Sequence, residues 1–179
     1  MPVDYVERVR RLDWHGLRAL WRRIEAGTTG WPPGRAMEHL VLRAFELSGA
    51  QVRWPYSVYI GGELVEQIDG AVYVDSLCCL VECKDTRART DAHALATLRN
   101  QLLRRHAGAI GLFFSRAGFT GAASTLAQYL APQTILLWTG VETDAYLEQE
   151  NFCAVLRSKY RHSVETGDAA HVPEFEEVA

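Results

Sequence analysis

The sequence contains no apolar run that approaches the roughly 20 residues needed for a membrane-spanning helix. The first four residues also lack the basic and then apolar pattern of a secretory signal peptide. Both absences argue against a membrane protein, and we expect a cytoplasmic one. Its 179 residues, 48% of them hydrophobic, predict one globular domain with a sizeable core.

Cysteine is scarce, and its four residues include no Cys-x-x-Cys pair. Cys78, Cys79 and Cys83 share one apolar segment, and Cys153 is distant from them in the chain. This spacing argues against a disulfide framework and against a zinc site. We expect all four to be small buried hydrophobic side chains in a reducing compartment.

Several common catalytic motifs are also missing. The chain has no Gly-rich phosphate loop, no Ser/His/Asp grouping and no His-Glu-x-x-His motif. We therefore do not expect a P-loop nucleotide hydrolase, a serine hydrolase or a zinc protease. The histidines are predicted to be surface or packing residues: His15, His39, His93, His106, His162 and His171.

Lysine is nearly absent. Of the 19 lysine and arginine residues, only Lys84 and Lys159 are lysine. Lys84 nonetheless stands in an apolar strand-like segment, where an unpaired charge is costly to bury. The net charge of −3 does not indicate nucleic-acid binding, although residues 84–105 are locally basic. Such a patch can bind a phosphate backbone or form ordinary solvated helix faces, and charge alone leaves both open.

Hydrophobic periodicity predicts the order of helices and strands. The predicted helices cover residues 1–30 (Asp13 as an N-cap), 35–48, 91–105, 121–130 (Thr120 as an N-cap) and most of 141–165. The predicted strands cover residues 51–60, 64–74, 77–84, 109–114 and 133–138, with turns at Gly61-Gly62 and Asp75-Ser76. This order predicts a mixed sheet with helices on both faces, followed by a loosely ordered acidic segment after Gly167.

The two strands that meet at Asp75-Ser76 bring charged residues together. Folding about this turn places Asp69 directly opposite Glu82, and Lys84 shares a strand face with Glu82. Directly opposed side chains have Cβ atoms roughly 4.5–5.5 Å apart, so the two carboxylates repel unless a cation lies between them. A divalent metal with oxygen ligands meets that need, provided that the hairpin register is not shifted by one residue.

A salt bridge between Glu82 and Lys84 is the alternative interpretation, and a lone Glu-x-Lys would favour it. The matching position of Asp69 and the apolar surroundings instead favour a site for phosphodiester hydrolysis. There a metal polarises the phosphoryl oxygen and lowers the pKa of a bound water. Lys84 would orient that water or neutralise charge on the phosphate.

This arrangement of an Asp on one strand and Glu-x-Lys on the next resembles the PD-(D/E)xK nuclease superfamily, and most closely its Mrr-like restriction endonuclease branch. The likeness covers roughly residues 35–140. It includes residues 37–41 and 49–52 around the first core helix, residues 68–70 and 81–84 in the catalytic strands, and residues 113–115 and 118–120 after them. Ile68 replaces the superfamily's proline, and no extra DNA-recognition domain is present in the sequence.

The resemblance implies a restriction-endonuclease-like three-layer α/β sandwich. Residues 1–33 would be a helical N-terminal extension, residues 34–140 the nuclease core, and residues 141–179 C-terminal helices and an acidic tail. The implied activity is hydrolysis of DNA phosphodiester bonds with Mg²⁺, for which Mn²⁺ would substitute.

The resemblance also implies roles for individual residues. Asp69, Glu82 and the Cys83 backbone carbonyl would hold the metal. Lys84 and Glu38 would complete the catalytic set, although Glu38 can equally be an exposed carboxylate favoured by the helix dipole.

Three further polar residues are candidates for substrate binding. Gln101 and Arg104 share one helix face near the predicted site, and Ser115, followed by Arg116, comes directly after a buried strand. A solvated helix face is the alternative for the first two.

The implied partners are DNA, a second copy of the chain for double-strand cuts, and a partner protein that supplies target recognition. The family's product carries a 5′-phosphate. Two rival functions stay open: a nuclease-like fold that binds DNA without cutting it, and a subunit of a defence or repair assembly that is active only with a partner.

Overall fold

The computed structural model describes residues 4–174. The helices are α1 (Tyr5–Arg10), α2 (Trp14–Ala26), α3 (Arg35–Leu47), α4 (Ala92–Leu103), α5 (Gly121–Gln128), α6 (Gly140–Gln149) and α7 (Phe152–Thr166). The strands are β1 (Gln51–Arg53), β2 (Tyr56–Ile60), β3 (Glu63–Ile68), β4 (Gly70–Val74), β5 (Leu77–Lys84), β6 (Ala109–Ser115) and β7 (Ile135–Thr139).

Side-chain caps set where the helices begin. The Asp13 carboxylate accepts a hydrogen bond from the Gly16 N–H at the start of α2. The Thr120 hydroxyl accepts one from the Ala123 N–H at the start of α5. Both residues were predicted as N-caps, and each satisfies a helix N–H that has no partner inside the helix.

Two predicted helices are in fact pairs of helices. The predicted helix over residues 1–30 is divided into α1 and α2, because Asp13 begins a new helix. The predicted helix over residues 141–165 is divided into α6 and α7 at Glu150, which adopts a left-handed conformation, and Asn151, which caps α7. A left-handed residue such as Glu150 ends a helix, and an N-cap side chain such as Asn151 begins the next one.

The main sheet has five strands in the order β1-β4-β5-β6-β7. The β1–β4 and β4–β5 pairs are antiparallel, whereas the β5–β6 and β6–β7 pairs are parallel. This mixed sheet carries helices on both faces. The predicted restriction-endonuclease-like α/β fold is therefore confirmed.

The predicted strands over residues 51–60 and 64–74 are each divided. Pro55 follows β1 closely and cannot donate to a strand ladder, so β2 leaves the main sheet. β2 and β3 instead form a separate two-stranded hairpin, which turns at Gly61-Gly62 as predicted. Asp69 lies between β3 and β4, at the junction of the two sheets.

The register of the β4–β5 hairpin is the predicted one. Val74 pairs with Leu77 across the Asp75-Ser76 turn, and Val72 pairs with Cys79. Asp75 takes a positive φ of 52°, a conformation that aspartate tolerates better than most residues. The pairing brings the start of β4 next to the end of β5.

Two hydrophobic clusters cover the two faces of the sheet. The larger one packs α1, α2, α3, α6 and α7 on one face, and the smaller one packs α4, α5 and the β2–β3 hairpin on the other. Neighbouring residues of β6 alternate between them, since Phe114 belongs to the larger cluster and Phe113 to the smaller. The result is three layers: helices, sheet and helices.

The chain after α7 differs from the prediction of a loosely ordered tail. Ala169 is buried, and its carbonyl accepts a hydrogen bond from the Leu137 N–H of β7. A strand edge thus fixes this segment. The last part of the predicted tail, residues 175–179, lies outside the described residues.

The cysteines agree with the prediction in three of four cases. Cys79, Cys83 and Cys153 are buried free thiols, but Cys78 is exposed. Successive residues of a strand point to opposite faces, and near the β4–β5 turn the face of Cys78 is not covered. Among helices of residues 4–174, none has the length and apolar character to cross a bilayer.

Candidate active site

Four predicted catalytic residues come from three neighbouring elements. Glu82 and Lys84 lie at the C-terminal end of β5, and Asp69 immediately precedes β4. Glu38 lies in the first turn of α3, which packs against β4 and β5. The confirmed hairpin register brings Asp69 beside Glu82 although 13 positions separate them in the sequence.

The Asp69 side chain is held by the backbone of β5. Its Oδ2 atom accepts a hydrogen bond of 2.8 Å from the Cys83 N–H. In a strand the N–H and C=O groups of one residue point to the same neighbouring strand. The Cys83 carbonyl therefore faces the side on which Asp69 lies.

Lys84 contacts Glu82 directly. Its Nζ lies 2.6 Å from Glu82 Oε1, and the Lys84 side chain is 42% exposed whereas that of Glu82 is 11% exposed. Burial lowers the pKa of Lys84, but its hydrogen bond to Glu82 and attraction to Asp69 outweigh this and raise that pKa above its usual value. Lys84 is therefore a fixed cation that donates hydrogen bonds and reaches solvent.

Glu38 adds a third carboxylate. It is 13% exposed and forms an ion pair of 3.1 Å with Arg35. Burial raises the pKa of Glu38, an effect that Arg35 opposes and the charge of Glu82 reinforces. Glu38 is thus not the freely exposed helix-start carboxylate of the alternative interpretation.

The three carboxylates repel one another. Burial raises the pKa of Asp69 to about 7, and the charges of Glu82 and Glu38 push it in the same direction. The hydrogen bond from the Cys83 N–H and the charge of Lys84 only partly compensate. This group of buried acidic oxygens fits a divalent cation, because such an ion would relieve the repulsion.

The spacing within the group distinguishes its members. Within residues 4–174, Glu38, Asp69 and Glu82 do not form a trio of ligand oxygens that all lie within 4.8 Å of one another. Contact of one ion with all three carboxylates would therefore require their side chains to move. Glu38 and Glu82 are each paired with a basic side chain, Arg35 and Lys84 respectively, whereas Asp69 accepts a hydrogen bond from a backbone N–H.

A cleft of about 280 Å³ opens beside Asp69 and Glu38. The start of α3 forms one wall, and the β2–β3 hairpin forms the other. Its lining residues are Pro33, Arg35, Glu38, Pro55, Tyr56, Ser57, Gln67, Ile68 and Asp69. A polar substrate can therefore approach the carboxylates between the helix and the hairpin.

Gly70 lies next to Asp69, and the sequence predicted no role for it. A Cβ atom at this position would lie 2.6 Å from Leu42 Cδ2 and 3.0 Å from the Arg53 carbonyl oxygen. Leu42 follows Glu38 by one helical turn, so both project from the same face of α3. The missing side chain of Gly70 thus lets α3 carry Glu38 close to Asp69.

Gln101 and Arg104 link α4 to the hairpin. Gln101 is buried, and its Nε2 donates to the Gln67 carbonyl at 3.4 Å. Arg104 and Arg105 both form ion pairs with the buried carboxylate of Glu66 in β3. These contacts use the polar groups that were predicted to bind substrate, so in this conformation both residues position the cleft wall.

Ser115 does not reach the surface. Its side chain is fully buried and lies 2.7 Å from the Thr90 hydroxyl, and it donates to the Gly118 carbonyl at 2.8 Å. The hydroxyl organises the loop after β6 in this conformation, and a substrate contact by Ser115 stays a prediction. Arg116 pairs with Asp85 at 2.5 Å and is likewise engaged.

Two exposed arginines follow Lys84 closely in the chain. Arg87 and Arg89 lie on the loop that directly follows Lys84, and both are exposed. The basic composition of residues 84–105 indicated them only as members of a broad patch. Their position after the strand end is what distinguishes them from the engaged Arg104 and Arg105.

Comparison with known proteins gives a family and two similar structures. Residues 33–146 match the Mrr_cat family, described as restriction endonuclease. No curated protein matches the chain. The crystal structure of a protein of unknown function, AF1548, has a TM-score of 0.52 and 19% identity, covering 73% of this chain and 77% of that one.

The structure of the MspJI restriction endonuclease in complex with a 27-mer oligonucleotide has a TM-score of 0.44 and 22% identity. The similarity covers 92% of this chain but only 38% of the MspJI chain. The family match, by contrast, spans well over half of the chain and includes all four predicted catalytic residues. The chain therefore belongs to the Mrr_cat restriction endonucleases, a family of nucleases.

Proposed function

We propose that this protein is a Mg²⁺-dependent endonuclease that hydrolyses DNA phosphodiester bonds. One observation carries the proposal: the buried carboxylates of Asp69, Glu82 and Glu38 repel one another, Lys84 binds Glu82, and a polar cleft opens at Asp69 and Glu38. A purely structural salt bridge between Glu82 and Lys84 would not need Asp69, whose ionisation this position disfavours.

The donor set suits a hard divalent cation. Asp69, Glu82 and the Cys83 carbonyl offer only oxygen ligands, which Mg²⁺ and Mn²⁺ prefer to nitrogen or sulfur. When bound, such an ion polarises a phosphoryl oxygen and lowers the pKa of a water. Glu38 would accept a hydrogen bond from a water at the site.

Lys84 has the charge and position for the remaining task. Its hydrogen bond to Glu82 holds the ammonium group at the end of β5. Its partial exposure would let it reach a substrate. There it would hold the attacking water or neutralise charge that develops on the phosphate. Loss of this amine should remove catalysis while leaving the acidic ligands in place.

DNA would approach through the cleft beside Asp69 and Glu38 and pass over Lys84 at the C-terminal end of β5. Arg87 and Arg89, exposed on the following loop, are suited to phosphate contacts that position the strand. A double-strand cut needs two sites, so a second copy of the chain is the simplest partner. A protein that supplies target recognition is the other proposed partner.

The test is cleavage of plasmid DNA by the purified chain with Mg²⁺, with Mn²⁺ and with EDTA. We expect nicked or linear DNA with 5′-phosphate ends in either metal and none in EDTA. Lys84→Ala and Asp69→Asn should each lower the rate by at least about 100-fold, since each removes a group that acts in the transition state. Asp144→Asn, an exposed carboxylate in α6, is the matched control and should cut normally.

The outcomes also separate the rival functions. Metal-dependent cutting that Lys84→Ala abolishes supports the proposal. DNA binding without cutting in any metal would overturn it in favour of a binding module. Cutting that begins only when a partner protein is added would assign the chain to an assembly. Equal cutting by wild type and Lys84→Ala would refute the proposed role of this site.

A further inference from the structure

A second group of potential ligands lies far from the candidate active site in the sequence. Across residues 4–174, His162, Asp168 and His171 form a group of three whose ligand atoms all lie within 4.8 Å of one another. His162 lies in the last turns of α7, and the other two follow the helix end. None of the three lines the cleft beside Asp69.

The two imidazole rings are already together. Their centroids are 3.6 Å apart with an interplanar angle of 13°, and His162 Nε2 lies 4.0 Å from Asp168 Oδ2. Each ring offers a nitrogen that binds metal ions when the imidazole is neutral.

The backbone that carries the group is fixed by other contacts. Gly167 ends α7 in a left-handed conformation and turns the chain back. The Ala169 carbonyl accepts from Leu137 in β7, and the His171 carbonyl accepts from the buried Lys159 ammonium. The three ligands are therefore brought together by the fold itself, which reduces the entropic cost of binding an ion.

We propose that His162, Asp168 and His171 bind one divalent transition-metal ion, most favourably Zn²⁺. Two imidazole nitrogens and one carboxylate oxygen form a borderline ligand set that suits Zn²⁺ or Co²⁺ better than Mg²⁺. The stacked rings direct their nitrogen lone pairs side by side, so binding one ion at about 2.0–2.1 Å requires the rings to rotate out of the stack, which their partial exposure allows. Solvent completes the coordination.

The ion would serve a structural purpose. It would tie the segment after Gly167 to α7 and keep that segment over Lys159, whose ammonium group holds the His171 carbonyl. A depression of about 290 Å³ adjoins the group and gives an ion access from solvent. Binding to the folded state alone would raise the melting temperature.

The experiment uses Co²⁺ as a visible probe on the full chain, after EDTA treatment. It is performed in an Asp69→Asn/Glu82→Gln background, which removes the candidate active-site ligands. We expect one Co²⁺ per chain, a visible absorption band typical of nitrogen and oxygen coordination, and a higher melting temperature. Zn²⁺ should displace the Co²⁺.

Matched histidine variants locate the ion. His162→Ala and His171→Ala should each weaken Co²⁺ binding at least about tenfold, and Asp168→Asn should weaken it less. His93→Ala, an exposed histidine in α4, should bind Co²⁺ like the background protein. Urea unfolding without metal would verify that each variant is folded.

Two results would overturn the proposal. One is the absence of saturable Co²⁺ binding below roughly 1 mM, which corresponds to only about 4 kcal/mol. The other is binding that the His162→Ala/His171→Ala double variant leaves unchanged. Because Asp69 and Glu82 are neutral amides in the background, neither result depends on whether the protein cuts DNA.

Discussion

The two lysines of this arginine-rich chain each pair with a glutamate, but in different surroundings. Lys84 binds Glu82 at a strand end and is 42% exposed, whereas Lys159 binds Glu142 at 2.5 Å and is 1% exposed. Because lysine is rare in this chain, each lysine is a candidate for a special role, and rarity alone does not separate Lys84 from Lys159. Only the neighbouring Asp69 distinguishes a candidate catalytic lysine from one that holds the fold together.

Lys159→Met should destabilise the protein by about 3–5 kcal/mol, because it leaves the Glu142 carboxylate buried without its cation. The free energy of unfolding in urea would measure this loss. A Glu142→Gln/Lys159→Met double variant should recover part of it, since both charges are then removed.

Arg157→Met is a matched control in the same helix, because its ion pair with Asp75 is exposed on both sides. It should change the free energy of unfolding little. A Lys159→Met variant as stable as Arg157→Met would contradict the importance given to the buried pair.

Asp69→Asn should stabilise the metal-free protein at neutral and higher pH. The folded state raises the pKa of Asp69 from 3.8 to about 7, so between these values the folded state binds more protons than the unfolded one. Wild-type stability is therefore lost as pH rises through this range, by at most about 4 kcal/mol. Asparagine carries no charge and can still accept from the Cys83 N–H.

Urea unfolding of wild type and Asp69→Asn in EDTA at pH 5 and pH 8 tests this linkage. The stability advantage of the variant should grow between the two values. Addition of Mn²⁺ at pH 8 should stabilise the wild type but not the variant. A constant difference across pH would show that Asp69 ionises in the folded state without cost.

At the scale of elements, the β4–β5 hairpin was predictable because its turn and alternation set one register. A shift by one residue would send each β5 side chain to the opposite face of the sheet and disrupt the packing of both hydrophobic clusters, so few pairings compete. The breaks in the longer predicted strands were not predictable from alternation. Strand-like residues stand on either side of each break. The first predicted strand is divided at Pro55, and the second at Asp69, where the chain passes from one sheet to the other.

Gly70→Ala should destabilise the protein by about 1–3 kcal/mol, because the new methyl group would overlap Leu42 in a packed core. It should also weaken Mn²⁺ binding by pushing α3, and with it Glu38, away from Asp69. Urea unfolding and Mn²⁺ titration provide the two measurements.

Gly121→Ala is the control, since a Cβ atom there meets nothing within 4 Å and alanine favours a helix. It should be neutral or stabilising and should leave metal affinity unchanged. In a double-mutant cycle, Leu42→Val should reduce the cost of Gly70→Ala. Additive effects would show that the two residues do not press on each other.

At the scale of the whole molecule, net charge says little about where DNA would bind. The basic stretch over residues 84–105 is partly neutralised, because Glu66 binds Arg104 and Arg105. Arg87 and Arg89 remain exposed beside the candidate active site. A negatively charged protein can thus present a small basic surface on the loop that follows Lys84.

Arg87→Ala and Arg89→Ala should each weaken DNA binding and lower the slope of log Kd against log salt concentration by roughly one, as expected for a lost phosphate contact. Binding would be measured in the Lys84→Ala background with Mg²⁺ to prevent cutting. Arg161→Ala, located near the opposite Asp75 turn, should leave the slope unchanged. Equal slopes for all three variants would place DNA elsewhere.

Local sequence was sufficient for the helix caps, the alternation of β4 and β5, and the pairing of Asp69 with Glu82, because each depends on residues close together in the chain. The contacts of Glu38, Gln101, Arg104 and Ser115 depend on how helices dock on the sheet. Long-range packing sets those contacts, and no periodicity within one element records it. The His162, Asp168 and His171 group likewise exists only because Gly167 turns the chain back against α7.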